Sequence, residues 1–111
     1  PITRTYLVRD LIRDTGLRDV IVARPALGTI NHTVLTVNEL KRAGVVIAGI
    51  VINRASEARS GIAERTSAAV IKEITGVPIL CEVPYMKRPD GSQADAAAAE
   101  LYAMLKGLLS A

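Results

Sequence analysis

The feature that most constrains the fold is an unbroken apolar run in the middle of the chain, from Val45 to Ile52. A strand this apolar needs cover on both faces, as in a parallel sheet packed between helices. The only aromatic residues are three tyrosines, so the core is built from aliphatic side chains, which suits that arrangement. The run therefore predicts an α/β fold with a parallel sheet, helices on both faces and residues 45–52 at its centre.

Helical and strand-like segments alternate along the 111 residues, which predicts one domain or a part of one. We expect strands at residues 20–23, 45–52 and 77–81, and helices at residues 6–15, 31–43, 62–74 and 92–109. Thr5 is the expected cap of the first helix, and Gly16 its expected end. Pro78 predicts an edge position for the third strand, or the first residue in it. Three strands are few for four helices, so further sheet is expected upstream or in a partner.

Composition excludes several classes of protein. The sequence has no apolar run of about 18 residues, so no membrane span is expected. Its start lacks the layout of a signal peptide, and the single cysteine, Cys81, fits a reducing compartment and a core position. We therefore expect a cytoplasmic protein. The net charge of +3 comes from arginines interleaved with acids and not from a basic block, so nucleic-acid binding is not expected.

The strongest candidate site is the turn between the first strand and the second helix, at Gly28 to Asn31. A loop containing Gly28 leads there into a helix, and the N–H groups and positive dipole end of a helix start suit a carboxylate or a phosphate. Ordinary capping by Thr29 or Asn31, with the glycine serving the turn, explains the same residues. His32 in the first turn is expected to be a neutral imidazole, or to have no chemical role.

Two further segments offer groups suited to a nucleotide. Asn53 and Arg54 end the central strand, and the asparagine carboxamide matches a purine edge, although asparagine is also a common turn former. The segment Glu82 to Met86 either lines a base with its proline and tyrosine or is an ordinary surface loop. Asp90 either holds a ribose hydroxyl or begins a helix cap. No metal-ligand spacing, catalytic triad or Walker A motif occurs, so no catalytic or metal-binding residues are expected in this segment.

Several strings, in order along nearly the whole chain, resemble dethiobiotin synthetase. They are Val22-Ala-Arg-Pro-Ala-Leu-Gly-Thr-Ile-Asn-His-Thr33, Gly49-Ile-Val-Ile-Asn53, Gly76-Val-Pro-Ile-Leu80 and Glu82-Val-Pro84. The resemblance implies a P-loop NTPase-like fold and a homodimeric ligase of biotin biosynthesis. Such enzymes use ATP and Mg²⁺ to form the ureido ring of dethiobiotin from 7,8-diaminopelargonate and carbon dioxide. The diamine is carbamated, ATP phosphorylates the carbamate, and ring closure expels phosphate.

The resemblance also implies roles for particular residues. Those expected to hold the distal carboxylate of the substrate, across the dimer interface, are Leu27, Gly28, Thr29 and Asn31. Those expected to bind the adenine are Asn53, Arg54, Pro84, Tyr85 and Met86. The acid that binds the ribose is expected at Asp90.

The glycine-rich phosphate loop of that family, its second catalytic lysine and its Mg²⁺-binding acids have no counterpart in this sequence. Residues 1–111 are therefore expected to form the C-terminal part of one dethiobiotin synthetase-like domain, with an N-terminal half supplying the phosphate and Mg²⁺ sites. Alone, the segment is expected to be inactive. Two alternatives are a related P-loop enzyme, such as a cobyrinate-type amidotransferase synthetase or a phosphotransacetylase regulatory domain, and a non-catalytic module that only dimerises.

Overall fold

A computed structural model describes residues 1–54, 62–87 and 91–109. The elements in chain order are α1 Val8–Thr15, β1 Asp19–Ala23, α2 Thr29–Arg42, β2 Ile47–Asn53, α3 Ile62–Thr75, β3 Ile79–Val83 and α4 Gly91–Leu109. This alternation is the predicted one. None of the helices in the described ranges is both long and apolar enough to cross a membrane.

The three strands form one parallel sheet in the order β1-β2-β3. The apolar run lies in the central strand β2, as predicted, because two parallel neighbours satisfy its backbone and helices cover its side chains. Pro78 directly precedes β3, and its C=O accepts a hydrogen bond from the N–H of Ile50 at 2.9 Å. Since β3 lies at the edge of the described sheet, the lost proline N–H costs the sheet no ladder bond.

One face of the sheet packs against α2 and α3. Ile50 and Ile52 project from β2 onto this face, and both are almost completely buried. They form one aliphatic cluster with Val37 and Leu40 of α2 and Ile71 of α3. Because full burial of such a side chain contributes roughly 1.5–3 kcal/mol, this cluster is the main source of cohesion between the sheet and its helices.

The opposite face is covered by α4 over β2 and β3. Val51 and the free thiol residue Cys81 lie in a second buried cluster, against which Leu101 and Leu105 of α4 pack. The expected core position of the cysteine is confirmed. Val22 of β1 pairs beside Val51 on this face but is 65% exposed, so the cover of α4 stops short of the end of β1. Helices therefore lie on both faces, and the expected α/β class is confirmed.

Strands β2 and β3 begin two residues later than the sequence predicts. The reason is that the N–H groups of the expected first strand residues donate hydrogen bonds to the ends of the preceding helices. Val45 N–H donates to Leu40 C=O at 3.0 Å, past the left-handed Gly44, as part of the end of α2. Val77 N–H donates to the Thr75 hydroxyl at 3.1 Å. Both valines are buried, but they close helices instead of joining the sheet.

The starts of the first two helices also differ from the expected ones. Helix α1 begins at Val8, with Leu7 and not Thr5 at the N-cap position, and it ends at Gly16 as predicted. The reason is that the carboxylate of Asp10 accepts the N–H of Leu7 at 2.8 Å, which closes the helix from within. Helix α2 begins at Thr29 and not at residue 31.

Candidate functional site

The turn between β1 and α2 is built by short-range backbone hydrogen bonds around Gly28. Ala26 N–H donates to Arg24 C=O at 2.9 Å and Thr29 N–H donates to Ala26 C=O at 3.0 Å, so the chain reverses within a few residues. Gly28 has φ +84°, in the left-handed region that favours glycine, and its C=O accepts the N–H of His32 at 2.9 Å. Gly28 therefore occupies the N-cap position of α2.

The N-terminus of α2 is open. The backbone N–H groups of Gly28, Ile30 and Asn31 have no acceptor in the part of the chain that the structure describes. No side chain caps the helix, and its first turn contains no acidic residue, so the positive end of the dipole is uncompensated. The expected alternative of capping by Thr29 or Asn31 is wrong, whereas its other part, a glycine that serves the turn, is confirmed at Gly28. The arrangement instead provides several N–H donors and a favourable potential for an anion.

The four residues predicted to hold a carboxylate lie together in this turn. Leu27 is 99% exposed and Asn31 is exposed, whereas Thr29 is buried. The ring of His32 covers Gly28 so closely that a Cβ built on the glycine lies 3.2 Å from the ring carbon Cε1. Besides glycine's backbone freedom, this contact limits what can stand at position 28.

A cleft of about 230 Å³ continues from this turn between β1 and α2. The residues that line it are Ile21, Val22, Ala23, Arg24, Ala26, Leu27, Thr29, His32, Thr33 and Thr36. The cleft lies at the carboxyl end of β1, the edge of a parallel sheet at which ligands bind in open α/β folds. Arg24, at its rim, adds a positive charge to the dipole of α2.

The candidate base site lies at the same edge of the sheet, at the ends of β2 and β3. Asn53, the last residue of β2, pairs in register with Val83. Arg54 N–H donates to Val83 C=O at 3.0 Å, and the Arg54 guanidinium lies 3.3 Å from the Glu82 carboxylate. These contacts join the two strand ends. The Asn53 carboxamide is exposed and makes no hydrogen bond within the described residues, so its donors and acceptor face solvent.

The segment after β3 lies next to Asn53 by the same register. Pro84 is exposed, Tyr85 is 37% exposed, and Met86 is half-buried. The proline, the tyrosine ring and the methionine thioether therefore follow the strand end that pairs with Asn53, and an aromatic ring suits stacking against a flat base. Asp90, predicted to bind the ribose, lies outside the described residues.

Residues 1–93 match the model of a protein family described as "AAA domain". The chain belongs to this family. The matched range includes the turn at Gly28, Asn53 and the segment after β3, so both candidate sites lie inside the family's domain.

Curated relatives of this AAA domain chain carry one common name, ATP-dependent dethiobiotin synthetase BioD. The protein from Thermodesulfovibrio yellowstonii is 48% identical over 73% of the chain and 34% of its own length. Those from Bacillus licheniformis and Bacillus subtilis are 42% and 45% identical, over 96% and 76% of the chain and 42% and 36% of their own lengths. The resemblance to dethiobiotin synthetase and the P-loop NTPase-like fold are confirmed. The chain spans about a third to two fifths of the length of these relatives.

The remaining candidates for chemistry among the described residues are metal-binding clusters and the Cys81 thiol. Among the described residues, no group of three His, Cys, Asp or Glu side chains is placed to hold a metal ion. Burial raises the pKa of the Cys81 thiol, with a smaller contribution from the negative charge of Glu100. A thiol with a raised pKa is a poor nucleophile at neutral pH, which agrees with a packing role.

Sequence reasoning gave no site role to two polar residues of the cleft, Thr33 and Thr36. Thr33 lines it and is 4% exposed. The available signal was its spacing: Thr29, Thr33, Val37 and Leu40 follow each other at helical intervals, so a helix that buries the aliphatic pair buries both hydroxyls as well.

Proposed function

We propose that this chain is part of an ATP-dependent dethiobiotin synthetase, which forms the ureido ring of dethiobiotin from 7,8-diaminopelargonate and carbon dioxide. The observation that carries the proposal is the open N-terminus of α2 at Gly28, an anion site where the sequence is similar to a carboxylate-binding turn. Relatives named for this activity, at 48% and 42% identity, support it.

The substrate's distal carboxylate binds at this turn. The residues that hold it are Leu27, Gly28, Thr29 and Asn31. The backbone N–H groups of Gly28, Ile30 and Asn31 supply donors without acceptors of their own, and the dipole of α2 favours the negative charge. The exposed Asn31 carboxamide adds a side-chain donor. In the homodimer, each turn serves the active site of the other subunit.

The nucleotide base binds at the ends of β2 and β3. The residues that hold it are Asn53, Arg54, Pro84, Tyr85 and Met86, with Asp90 on the ribose. Support comes from the exposed and unbonded carboxamide of Asn53, which the strand register places beside the segment after β3. Hydrogen bonds from a carboxamide distinguish an adenine edge from other flat groups.

Residues 1–111 act as the C-terminal part of one domain, together with a phosphate-binding half that this segment does not supply. When bound, Mg²⁺-ATP supplies the phosphoryl group, and its phosphates and metal are held by groups of that other half. The chain alone is therefore expected to show no turnover with ATP, bicarbonate and diaminopelargonate. The compartment is the cytoplasm, where a single buried thiol stays reduced.

The test is a titration of the ¹⁵N-labelled chain with 7,8-diaminopelargonate and, in parallel, with the same diamine lacking the carboxylate. We expect shifts of the amide signals of Gly28, Ile30 and Asn31 with the first ligand only. ADP should instead shift Asn53 and Tyr85. Equal shifts with both diamines, or none with either, would contradict the carboxylate assignment.

The outcomes also separate the alternatives. Shifts with ADP but none with diaminopelargonate would favour a related P-loop synthetase. Dimerisation of the chain, measured by sedimentation, without a response to either ligand would favour a non-catalytic module. Turnover by the chain alone would overturn the assignment of the phosphate and Mg²⁺ sites to another half.

A further inference from the structure

The buried stripe of α2 begins with two hydroxyl groups before it becomes aliphatic. Thr29 and Thr33 are 8% and 4% exposed, and one and two turns further on Val37 and Leu40 continue the stripe into the core. The two threonines lie at the end of the helix that borders the cleft. Threonine is mostly a surface residue. Two buried threonines at the carboxyl edge of the sheet are therefore unusual, and we ask which groups their hydroxyls bond.

Neither buried hydroxyl is satisfied by the protein. Thr36 on the same helix donates its hydroxyl to the C=O of His32 at 2.8 Å, whereas Thr29 and Thr33 make no side-chain hydrogen bond within the described residues. No side-chain polar atom that is sealed from solvent lacks a partner in that part of the chain, so both oxygens open onto the cleft. Because neither hydroxyl has a partner in the described protein, both are open to a ligand or to a water held in the cleft.

We propose that Thr33 is a specificity-determining residue for the carboxylate end of the substrate. Its hydroxyl and that of Thr29 hold a water molecule in the cleft, and this water donates a hydrogen bond to the carboxylate at the N–H groups of the turn. The bridge is needed because Thr33 lies one helical turn, roughly 6 Å, beyond Thr29. The cleft of about 230 Å³ has room for it, since one water takes about 30 Å³ of liquid volume. This inference rests on the proposed function.

Loss of the Thr33 hydroxyl is expected to lower the affinity for diaminopelargonate without lowering the thermal stability of the chain. Thr33→Val keeps the shape of the side chain and removes a hydroxyl that bonds to no other group of the described protein, so the melting temperature of the unliganded chain stays equal or rises. Affinity for diaminopelargonate falls about three- to fivefold, and the preference over the diamine lacking the carboxylate falls with it. A residue with a packing role alone does not show this opposition.

The experiment measures both ligands by amide shifts in three variants. Thr33→Ser keeps the hydroxyl and is expected to retain the carboxylate preference. Thr15→Val is the matched control, because the Thr15 hydroxyl donates to the C=O of Ile12 in its own helix α1, at an exposed position that does not line the cleft. It is expected to leave the preference unchanged.

Three results would overturn the proposal. Wild-type preference in Thr33→Val removes any role for the hydroxyl, while the carboxylate assignment at Gly28 stands. Equal losses of affinity and stability in Thr33→Val and Thr33→Ser indicate packing alone. A wild-type chain that does not distinguish the two diamines overturns this inference and the proposed function together.

Discussion

The first two helices both begin at an N-cap residue whose own side chain makes no capping hydrogen bond, but their third helical residues differ in what they bond. In α1 the N-cap residue is Leu7, and the third helical residue, Asp10, returns its carboxylate to the Leu7 N–H at 2.8 Å. In α2 the N-cap residue is Gly28, and the third helical residue is Asn31, whose exposed side chain returns to nothing in the described residues. The third helical residue, called N3, is therefore an aspartate with a carboxylate in α1 and an asparagine with a carboxamide in α2.

This difference separates a structural helix start from a binding one. The acid at N3 of α1 supplies the negative charge that the helix dipole favours, so that end needs no other anion. The N-terminus of α2 lacks such a charge and also keeps several N–H groups without acceptors. In this chain the absence of an internal anion, rather than the presence of a helix end, therefore distinguishes the candidate ligand site.

Replacement of the N3 carboxamide of α2 by a carboxylate is expected to have the largest effect on ligand affinity. Asn31→Asp gives α2 the acid that α1 has, so it should stabilise the chain by about 0.3–1 kcal/mol. The new carboxylate repels the carboxylate of the ligand, and affinity for diaminopelargonate should fall by at least about a hundredfold. Isothermal titration calorimetry and thermal unfolding measure the two effects.

The control is Asn38→Asp, which adds the same charge at an exposed position two turns along α2. It should change affinity little. If both variants weaken binding equally, net charge and not the N3 position is responsible, and the contrast between the two helix starts loses its meaning.

Substitution of the N-cap glycine is expected to have the next largest effect. Gly28→Ala places a Cβ at φ +84° and 3.2 Å from the His32 ring, so both the turn and the ring must shift. We expect about 1 kcal/mol of lost stability from the left-handed backbone and about a tenfold loss of affinity for diaminopelargonate.

Gly44→Ala is the matched variant, because Gly44 has φ +79° with nothing within 4 Å of an added Cβ. It should lose similar stability without loss of affinity. Unfolding by urea and ligand titration of both variants check this. Normal affinity in Gly28→Ala would disconnect the turn geometry from ligand binding.

The order of the elements and the position of the turn follow from the sequence. The hydrogen bonds at the starts of α1 and α2 do not. The apolar run around Ile50 and the helical spacings determine burial, which dominates the fold and is readable from pattern. Cap preferences favour Thr29 or Asn31 as the N-cap of α2, which was one of two open explanations for this turn. The chain reversal at Ala26 places Gly28 in that position instead. The hydrogen bonds that a helix end makes depend on the geometry of the preceding loop. The capping preference of a single residue type does not predict that geometry.

Removal of the internal anion of α1 is expected to affect stability only. Asp10→Asn weakens the bond to the Leu7 N–H and removes the charge at the dipole, which should cost about 0.5–1 kcal/mol. The affinities for diaminopelargonate and ADP should be unchanged, because none of the proposed ligand-binding residues lies in α1. Asp95→Asn, at an exposed position of α4, is the control and should be neutral. A loss of affinity in Asp10→Asn would show that the two helix starts are coupled.

The smallest expected effect concerns the other acid of α1, which holds the helix to the preceding segment. The hydroxyl of Tyr6 donates to the Asp14 carboxylate at 2.8 Å. This hydrogen bond, with a second from Arg13, lowers the pKa of Asp14, and the same bond to Asp14 raises the pKa of Tyr6. Tyr6→Phe should therefore lower the melting temperature slightly at neutral pH, with Tyr102→Phe, an exposed tyrosine of α4, as the control.

The pH dependence of that small difference tests its origin. A lowered carboxyl pKa gives stability that is present above the ordinary pKa of aspartate and is lost as pH falls through the lowered value. A raised phenol pKa gives stability that is present below the ordinary pKa of tyrosine and is lost as pH rises through the raised value. The melting temperatures of wild type and Tyr6→Phe should thus differ most between these limits and converge at both ends. A constant difference across the whole range would mean that the ring, and not its hydrogen bond to Asp14, holds the start of α1.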